Sequence, residues 1–276
     1  MARPTTIHPS AIVEAGAELG AGVRIGPFCH VSAAAKLHDG VELIGHVTIM
    51  GDTTLGAGCQ VYPQAVLGAP PQNFKHKGGP STLEVGPHCV IREGVTFHAG
   101  TDTSRGRTTV GSNGLFMAYS HVAHDCAIGN HVTMANYAGL GGHADIGDYV
   151  ILSGYAAVHQ FVRVGHHAFL GGCAAVVGDV IPYGMAVGDR ARLRGLNIVG
   201  LKRSGMSREE MTVLRRAYRQ IFAEGSSLAD NAAAVSRAFP DSAPVADMVA
   251  FIGGRDKRHF TIPARGGSAA EEDDEG

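Results

Sequence analysis

Residues 122–146 read VAHDCAIGNHVTMANYAGLGGHADI, with an apolar residue at every sixth position: Val122, Ile128, Met134, Leu140 and Ile146. The interval continues downstream through Leu152, Val158, Val164, Leu170 and Val176, and upstream through Phe116 to Val110. One residue out of step, it also runs from Ile7 through Val13, Leu19, Ile25, Val31, Leu37, Leu43, Ile49, Leu55 and Val61 to Leu67, and again over Val85, Ile91 and Phe97. A period of six fits neither an amphipathic helix nor an alternating strand. It fits a triangular solenoid with three six-residue faces per coil and the apolar side chains stacked inside. At the strand spacing of roughly 4.8 Å, about ten coils of 18 residues make a prism about 45–50 Å tall. Glycine often follows the apolar residue, as at Gly20, Gly26, Gly56, Gly86, Gly111, Gly129, Gly147 and Gly165. There it is expected to serve a sharp turn.

Hexapeptide repeats of this kind resemble the left-handed parallel β-helix, so the expected fold is mostly β with a helical C-terminus. Residues 1–189 are expected to form the prism. Two segments leave the repeat, GAPPQNFKHKGGPSTLE at 68–84 and GTDTSRGRTT at 100–109. Both read as outward loops, where function concentrates on a regular scaffold. After Pro182 the pattern turns helical, and residues 190–265 are expected to be an α-helical unit. Ser207-Arg208-Glu209-Glu210 is a capping box, followed by Met211, Leu214, Tyr218, Ile221 and Phe222 on one face. Further helices are expected over 228–239, stopped by Pro240, and over 244–252.

Composition sharpens the reading. Of 276 residues 39 are Gly, none is Trp, and 45% are hydrophobic against 17% charged, which excludes a wholly disordered chain. No apolar run is long enough for a membrane helix, and the opening MARPTTIHPS lacks the layout of a secretory signal, so a soluble cytoplasmic protein without stable membrane insertion is expected. The net charge of −2 divides into −4 before Arg190, +7 over 190–265, and −5 in the tail 266–276, which is expected to be disordered. The basic segment suits phosphates or an acidic protein. It carries few aromatics for stacking, so nucleic acid is not an expected partner. The five cysteines, Cys29, Cys59, Cys89, Cys126 and Cys173, show no paired metal-ligand spacing and read as reduced, buried core filler.

Stacking at 18-residue intervals places His124, Gly142 and Gln160 in one column and Asp125, His143 and Phe161 in the next. A neutral imidazole beside a carboxylate suits proton abstraction, with Asp125 orienting His124. Gly142 leaves room for a substrate and offers its N–H to an oxyanion. The competing chemistry is metal binding, since three imidazoles, His121, His124 and His143, with an open fourth position would suit a zinc hydratase.

At AHDC (123–126), GGH (141–143), AVHQF (157–161) and GLNIVGLKRSG (195–205), the sequence closely resembles the UDP-N-acetylglucosamine O-acyltransferases that begin lipid A synthesis. The likeness spans about residues 5–260, both loops and the IHPSAIV opening included. It implies that a (3R)-3-hydroxyacyl chain moves from the thioester of acyl carrier protein to the glucosamine 3-hydroxyl, in a cleft between subunits of a homotrimer, with no cofactor, metal or covalent acyl-enzyme. By resemblance His124 is the general base, Asp125 its partner and the Gly142 amide the oxyanion donor. Gln72, Asn73 and Lys75 of the first loop, His121, His143, Gln160, Asn197 and Arg203 are implied substrate contacts. Lys75 and Arg203 suit the two phosphates, and the basic C-terminal segment would receive the acidic carrier protein. Phe169, Gly172 and Arg190 are implied at the acyl-length end.

Three positions depart from the family pattern: Asn73 stands where Asp is usual, Ser204 replaces the second Arg of a Lys-Arg-Arg run, and Arg190 replaces a His. Asn73 opens the alternative of a 3-amino sugar acceptor, while His121 matches members that use the hydroxyl. For chain length, open Gly172 and bulky Phe169 argue in opposite directions. The later N-acyltransferase of the same pathway carries an N-terminal domain for which repeats beginning at Ile7 leave no room. A non-catalytic scaffold or a zinc hydratase would need neither the 195–205 segment nor a basic helical end.

Overall fold

The computed structural model describes residues 4–254 and 259–264. Within them, 28 strands, most only two residues long, form three sheets of 11, 9 and 8 strands on the faces of a left-handed triangular prism. Every strand but the last pairs in parallel with a strand one coil away, Thr133 facing Ile151 and Gly139 facing Ala157. The repeat residues Leu43, Val61, Ile91, Phe116, Met134 and Leu152 are fully buried in one column, and Phe97 meets Phe116 edge to face at 4.9 Å. The first coil has nothing beneath it, which leaves Ile7 46% exposed although it keeps the register.

Glycine after the apolar residue has a different cause from the one expected. None of the eight has positive φ; a Cβ on Gly129 would lie 2.7 Å from the Asp148 backbone N, and one on Gly147 would lie 2.5 Å from that of His166. The next coil crosses too closely for a side chain. The left-handed corner falls two residues later, on non-glycine residues such as Asp125 (φ 60), His143 (φ 62) and Phe161 (φ 64). That conformation is unfavourable for an L-residue, and stacking from coil to coil offsets it. Tyr119, Tyr137 and Tyr155 form a ladder at 5.2 and 4.9 Å, and His131, Tyr149 and His167 another at 4.6 and 4.7 Å.

Both loops are shorter than the sequence suggests, because the flanking strands extend to four residues. Val66–Ala69 and Thr82–Val85 bound the first, and Arg107–Val110 closes the second. Thr82–Val85 pairs in register with Asp52–Leu55 on one side and Arg107–Val110 on the other, so its polar residues complete ladders rather than leave them. Cys29, Cys59, Cys89 and Cys126 are buried as expected, but Cys173 is exposed, because it stands at a corner rather than pointing inward.

The segment 190–265 opens with a strand, not a helix. Arg192–Leu196 pairs antiparallel with Gly184–Val187 and ends the largest sheet. Leu193 and Leu196 are buried while Arg192 and Arg194 are exposed, a strand pattern that the basic charge conceals in the sequence. Four helices follow: α1 (Ile198–Arg203), α2 (Arg208–Ile221), α3 (Leu228–Ala238) and α4 (Ala243–Gly253). Helix α1 was not expected; Asn197 caps it, its Oδ1 accepting from the Gly200 N–H. The Ser207–Glu210 capping box at α2 is formed, and Met211, Leu214, Ala217 and Ile221 are its buried face. Thr261 then returns to the prism, its N–H donating to the Asp179 carbonyl at 2.8 Å. The acidic tail lies outside the described residues. Among those described, no helix is long and apolar enough to cross a membrane.

Candidate active site

The corner after strand His121–Val122 carries the chemistry. Left-handed Asp125 turns its carboxylate fully inside, beneath the second loop. It accepts from the Thr101 N–H at 3.1 Å and the Thr101 hydroxyl at 2.7 Å, and lies 2.9 Å from His124 Nδ1. Its own N–H donates to Thr108 Oγ1. Burial works to raise the Asp125 carboxyl, but the Thr101 and His124 hydrogen bonds together outweigh it and hold it below the usual carboxylate range. An ionised Asp125 assigns the His124 proton to Nδ1 and leaves Nε2 with a lone pair. That Nε2 faces the Asn73 amide Nδ2 at 3.4 Å, so the first loop reaches the imidazole.

One coil on, Gly142 stacks against His124. A Cβ there would lie 2.7 Å from His124 Cε1 and 2.9 Å from Nε2. The Gly142 N–H has no acceptor among the described residues, although its carbonyl accepts from the Phe161 N–H. His143 meets the His124 ring edge to face at 5.2 Å and stacks on Phe161 at 4.3 Å. Its Nδ1 is 3.4 Å from Ser104 Oγ. His121 Nδ1 lies 2.7 Å from Thr96 Oγ1. Burial pushes both His121 and His143 below the usual histidine range, so the imidazoles around His124 are neutral at pH 7.

Among the described residues, His124, Asp125 and His143 bring possible metal-ligand atoms within 4.8 Å of one another. The expected three-imidazole set is not formed, since His121 is directed at Thr96 and a carboxylate takes its place. That carboxylate is already occupied by two donors from Thr101 and one from His124.

The remaining predicted residues lie apart. Gln72 and Lys75 are exposed on the first loop, and Gln160 is exposed in the column above Gly142. Asn197 is buried at another edge of the prism; its Nδ2 donates to the His167 carbonyl while Oδ1 caps α1. Arg203 is exposed in the last turn of α1. Phe169 lies in the 11-stranded sheet, Gly172 at the third edge and Arg190 beyond it, exposed. One chain therefore gathers Asn73, His121, His124, Asp125, Gly142 and His143, and leaves Asn197, Arg203 and the acyl-length positions elsewhere, on α1, on another face and on the other edges.

The sequence reading marked the second loop but named none of its residues, and it passed over His98. Thr101 fixes Asp125, Ser104 reaches His143, and Arg105 donates to Asp145 and to the Asp125 carbonyl. His98 is buried edge to face with His121, its Nδ1 without a hydrogen-bond partner among the described residues. Burial, with the nearby imidazoles, pushes it down to about 4. Only the break in the repeat marked this loop.

The depressed imidazoles carry a stability consequence. Folded His98, His121, His143 and His167 resist protons that the unfolded chain takes up near pH 6.5. Their contribution is complete above about pH 6.5 and is lost as pH falls toward about 4. The melting temperature is expected to drop between pH 7.5 and pH 5, less steeply in His98→Gln; a midpoint that holds or rises on acidification would contradict this.

Residues 179–261 match the family model described as UDP N-acetylglucosamine O-acyltransferase, domain 2. The chain is 59% identical over 272 residues, 98% of each sequence, to the acyl-(acyl-carrier-protein)–UDP-N-acetylglucosamine O-acyltransferase of Mesorhizobium japonicum. It is 55% identical over 277 residues to the Brucella ovis enzyme of the same name, covering 99% of this chain and 100% of that one. Among solved structures, the UDP-N-acetylglucosamine acyltransferase of Francisella novicida superposes with a TM-score of 0.88 at 34% identity, over 94% of both chains.

Proposed function

The chain belongs to the UDP-N-acetylglucosamine O-acyltransferases, and we propose that His124 is the general base with which it performs that family's reaction. It is an acyltransferase that moves an acyl group from acyl carrier protein to UDP-N-acetylglucosamine. In the proposed mechanism, His124 Nε2 takes the proton of the glucosamine 3-hydroxyl as the oxygen attacks the thioester carbonyl. The Gly142 N–H receives the oxyanion. Collapse breaks the carbon–sulfur bond, and the His124 imidazolium returns the proton to the departing thiolate. A thioester is already activated, so alignment, proton transfer and oxyanion binding suffice without a covalent acyl-enzyme. The acyl group is a (3R)-3-hydroxyacyl chain and the step opens lipid A synthesis.

The observation that carries this reading is the His124 ring, held at Nδ1 by buried Asp125 and packed against Gly142, with Nε2 directed at the first loop. The working unit is a homotrimer. Family resemblance implies the three-fold state, and it agrees with Asn197 standing on a different prism edge from His124, since a head-to-tail ring sets one edge of a chain against another edge of the next. Lys75 then serves the diphosphate with Asn197 and Arg203, Gln72 contacts the substrate from the first loop, His121 and His143 line the sugar, and Gln160 serves its amide or the diphosphate. The basic helical end receives the carrier protein, and Phe169, Gly172 and Arg190 bound the acyl chain.

The test is transfer from 3-hydroxyacyl carrier proteins of several lengths to UDP-N-acetylglucosamine, followed by mass spectrometry with the metal content of the sample recorded. Expected is a gain of one hydroxyacyl group in metal-free protein. Transfer only to the 3-amino sugar would move the acceptor assignment, and activity that tracks stoichiometric zinc would overturn the base mechanism.

A further inference from the structure

The first loop reaches His124 through Asn73, and a short turn aims that side chain: Asn73 Oδ1 accepts from the Lys75 N–H at 2.9 Å, and the Asn73 carbonyl accepts from the His76 N–H at 3.1 Å. The far end of the turn is fastened to the second loop by one residue. Asp102 accepts from the Lys77 N–H at 3.0 Å and the Gly79 N–H at 2.9 Å, and its Oδ1 lies 3.1 Å from His76 Nδ1. The fit is close, since a Cβ on Gly79 would lie 2.7 Å from Asp102 Cβ. The preceding residue, Thr101, is the one that grips Asp125. Two successive residues of the second loop therefore hold the base pair and the loop set over it.

We infer that Asp102 is a positioning residue for acyl transfer, a clasp that holds the first loop, and with it Asn73 and Lys75, in register with His124. The consequence for transfer rests on the proposed function; the clasp itself does not. The Gly79 N–H above all, with the Lys77 N–H and the His76 imidazole, holds the Asp102 carboxyl below its usual range, so the clasp is an ionised carboxylate at neutral pH.

Asp102→Ala in the full chain is expected to raise KM for UDP-N-acetylglucosamine about ten-fold while kcat changes less than about three-fold, the split produced when ground-state binding is lost and the base is kept. Trypsin should cut after Lys75 or Lys77 faster than in the parent, with the melting temperature unmoved because the prism is untouched. Asp102→Asn keeps one acceptor oxygen and should fall between. Lys75→Ala alone should raise KM, and combined with Asp102→Ala it should add little, because the loop no longer presents it.

Unchanged KM and cleavage rate in Asp102→Ala would overturn the assignment, as would a drop in melting temperature with unaltered kinetics, which would mark a purely structural residue. Should the parent chain itself fail to transfer, the reaction reading falls, and the tryptic rates still decide the clasp.

Discussion

His124→Ala is expected to reduce acyl transfer by about 10³-fold, within the range by which a positioned general base accelerates a reaction. Its Nδ1 is committed to Asp125, and its Nε2 is the acceptor presented at the tip of the corner beside the first loop. The loss should fall on kcat, because the cations proposed to bind the nucleotide diphosphate, Lys75 and Arg203, are separate side chains on the first loop and on α1. The fold should survive: the side chain lies outside the apolar column, whose nearest members Val122 and Cys126 point inward and stay buried. Turnover under saturating UDP-N-acetylglucosamine, with a melting curve on the same sample, checks both statements. A variant within a few-fold of the parent would remove His124 from the role of base.

Gly142→Ala is expected to lower kcat by about 10²-fold, the scale of loss that accompanies a displacement of about 1 Å at a reacting centre. The added methyl would stand 2.7 Å from His124 Cε1. The ring cannot swing away freely, because Asp125 holds Nδ1 and is itself fixed by Thr101. Either the imidazole leaves its partner or the Gly142 corner shifts, and both misplace the base relative to the N–H proposed to receive the oxyanion. Parent-like turnover in Gly142→Ala would show that the methyl is accommodated and that the packing against His124 is unimportant.

The six-residue period sufficed for the solenoid because each inward position is set by local spacing, and Leu140 or Leu152 is buried whatever the loops do. The vertical columns followed from the same arithmetic, which is why His124 with Gly142 and His143 with Phe161 could be paired before any coordinates. Local signals also marked the capping box of α2. They misread Arg192–Leu196, where basic residues alternating with leucine form the last strand of a sheet whose partner the segment itself does not reveal. They also assigned Gly129 and Gly147 to turn conformation when the reason is the nearness of the next coil.

What the sequence determined by itself was the prism, the corner that carries His124 and Asp125, and the family. Only the tertiary structure decided how the two loops meet there. Thr101 on Asp125, Asp102 on Lys77 and Gly79, and Asn73 on His124 join residues 23 to 51 positions apart. The loops leave the repeat, so no period relates them. Their meeting depends on backbone N–H groups pointing at a carboxylate, a direction that residue spacing does not encode.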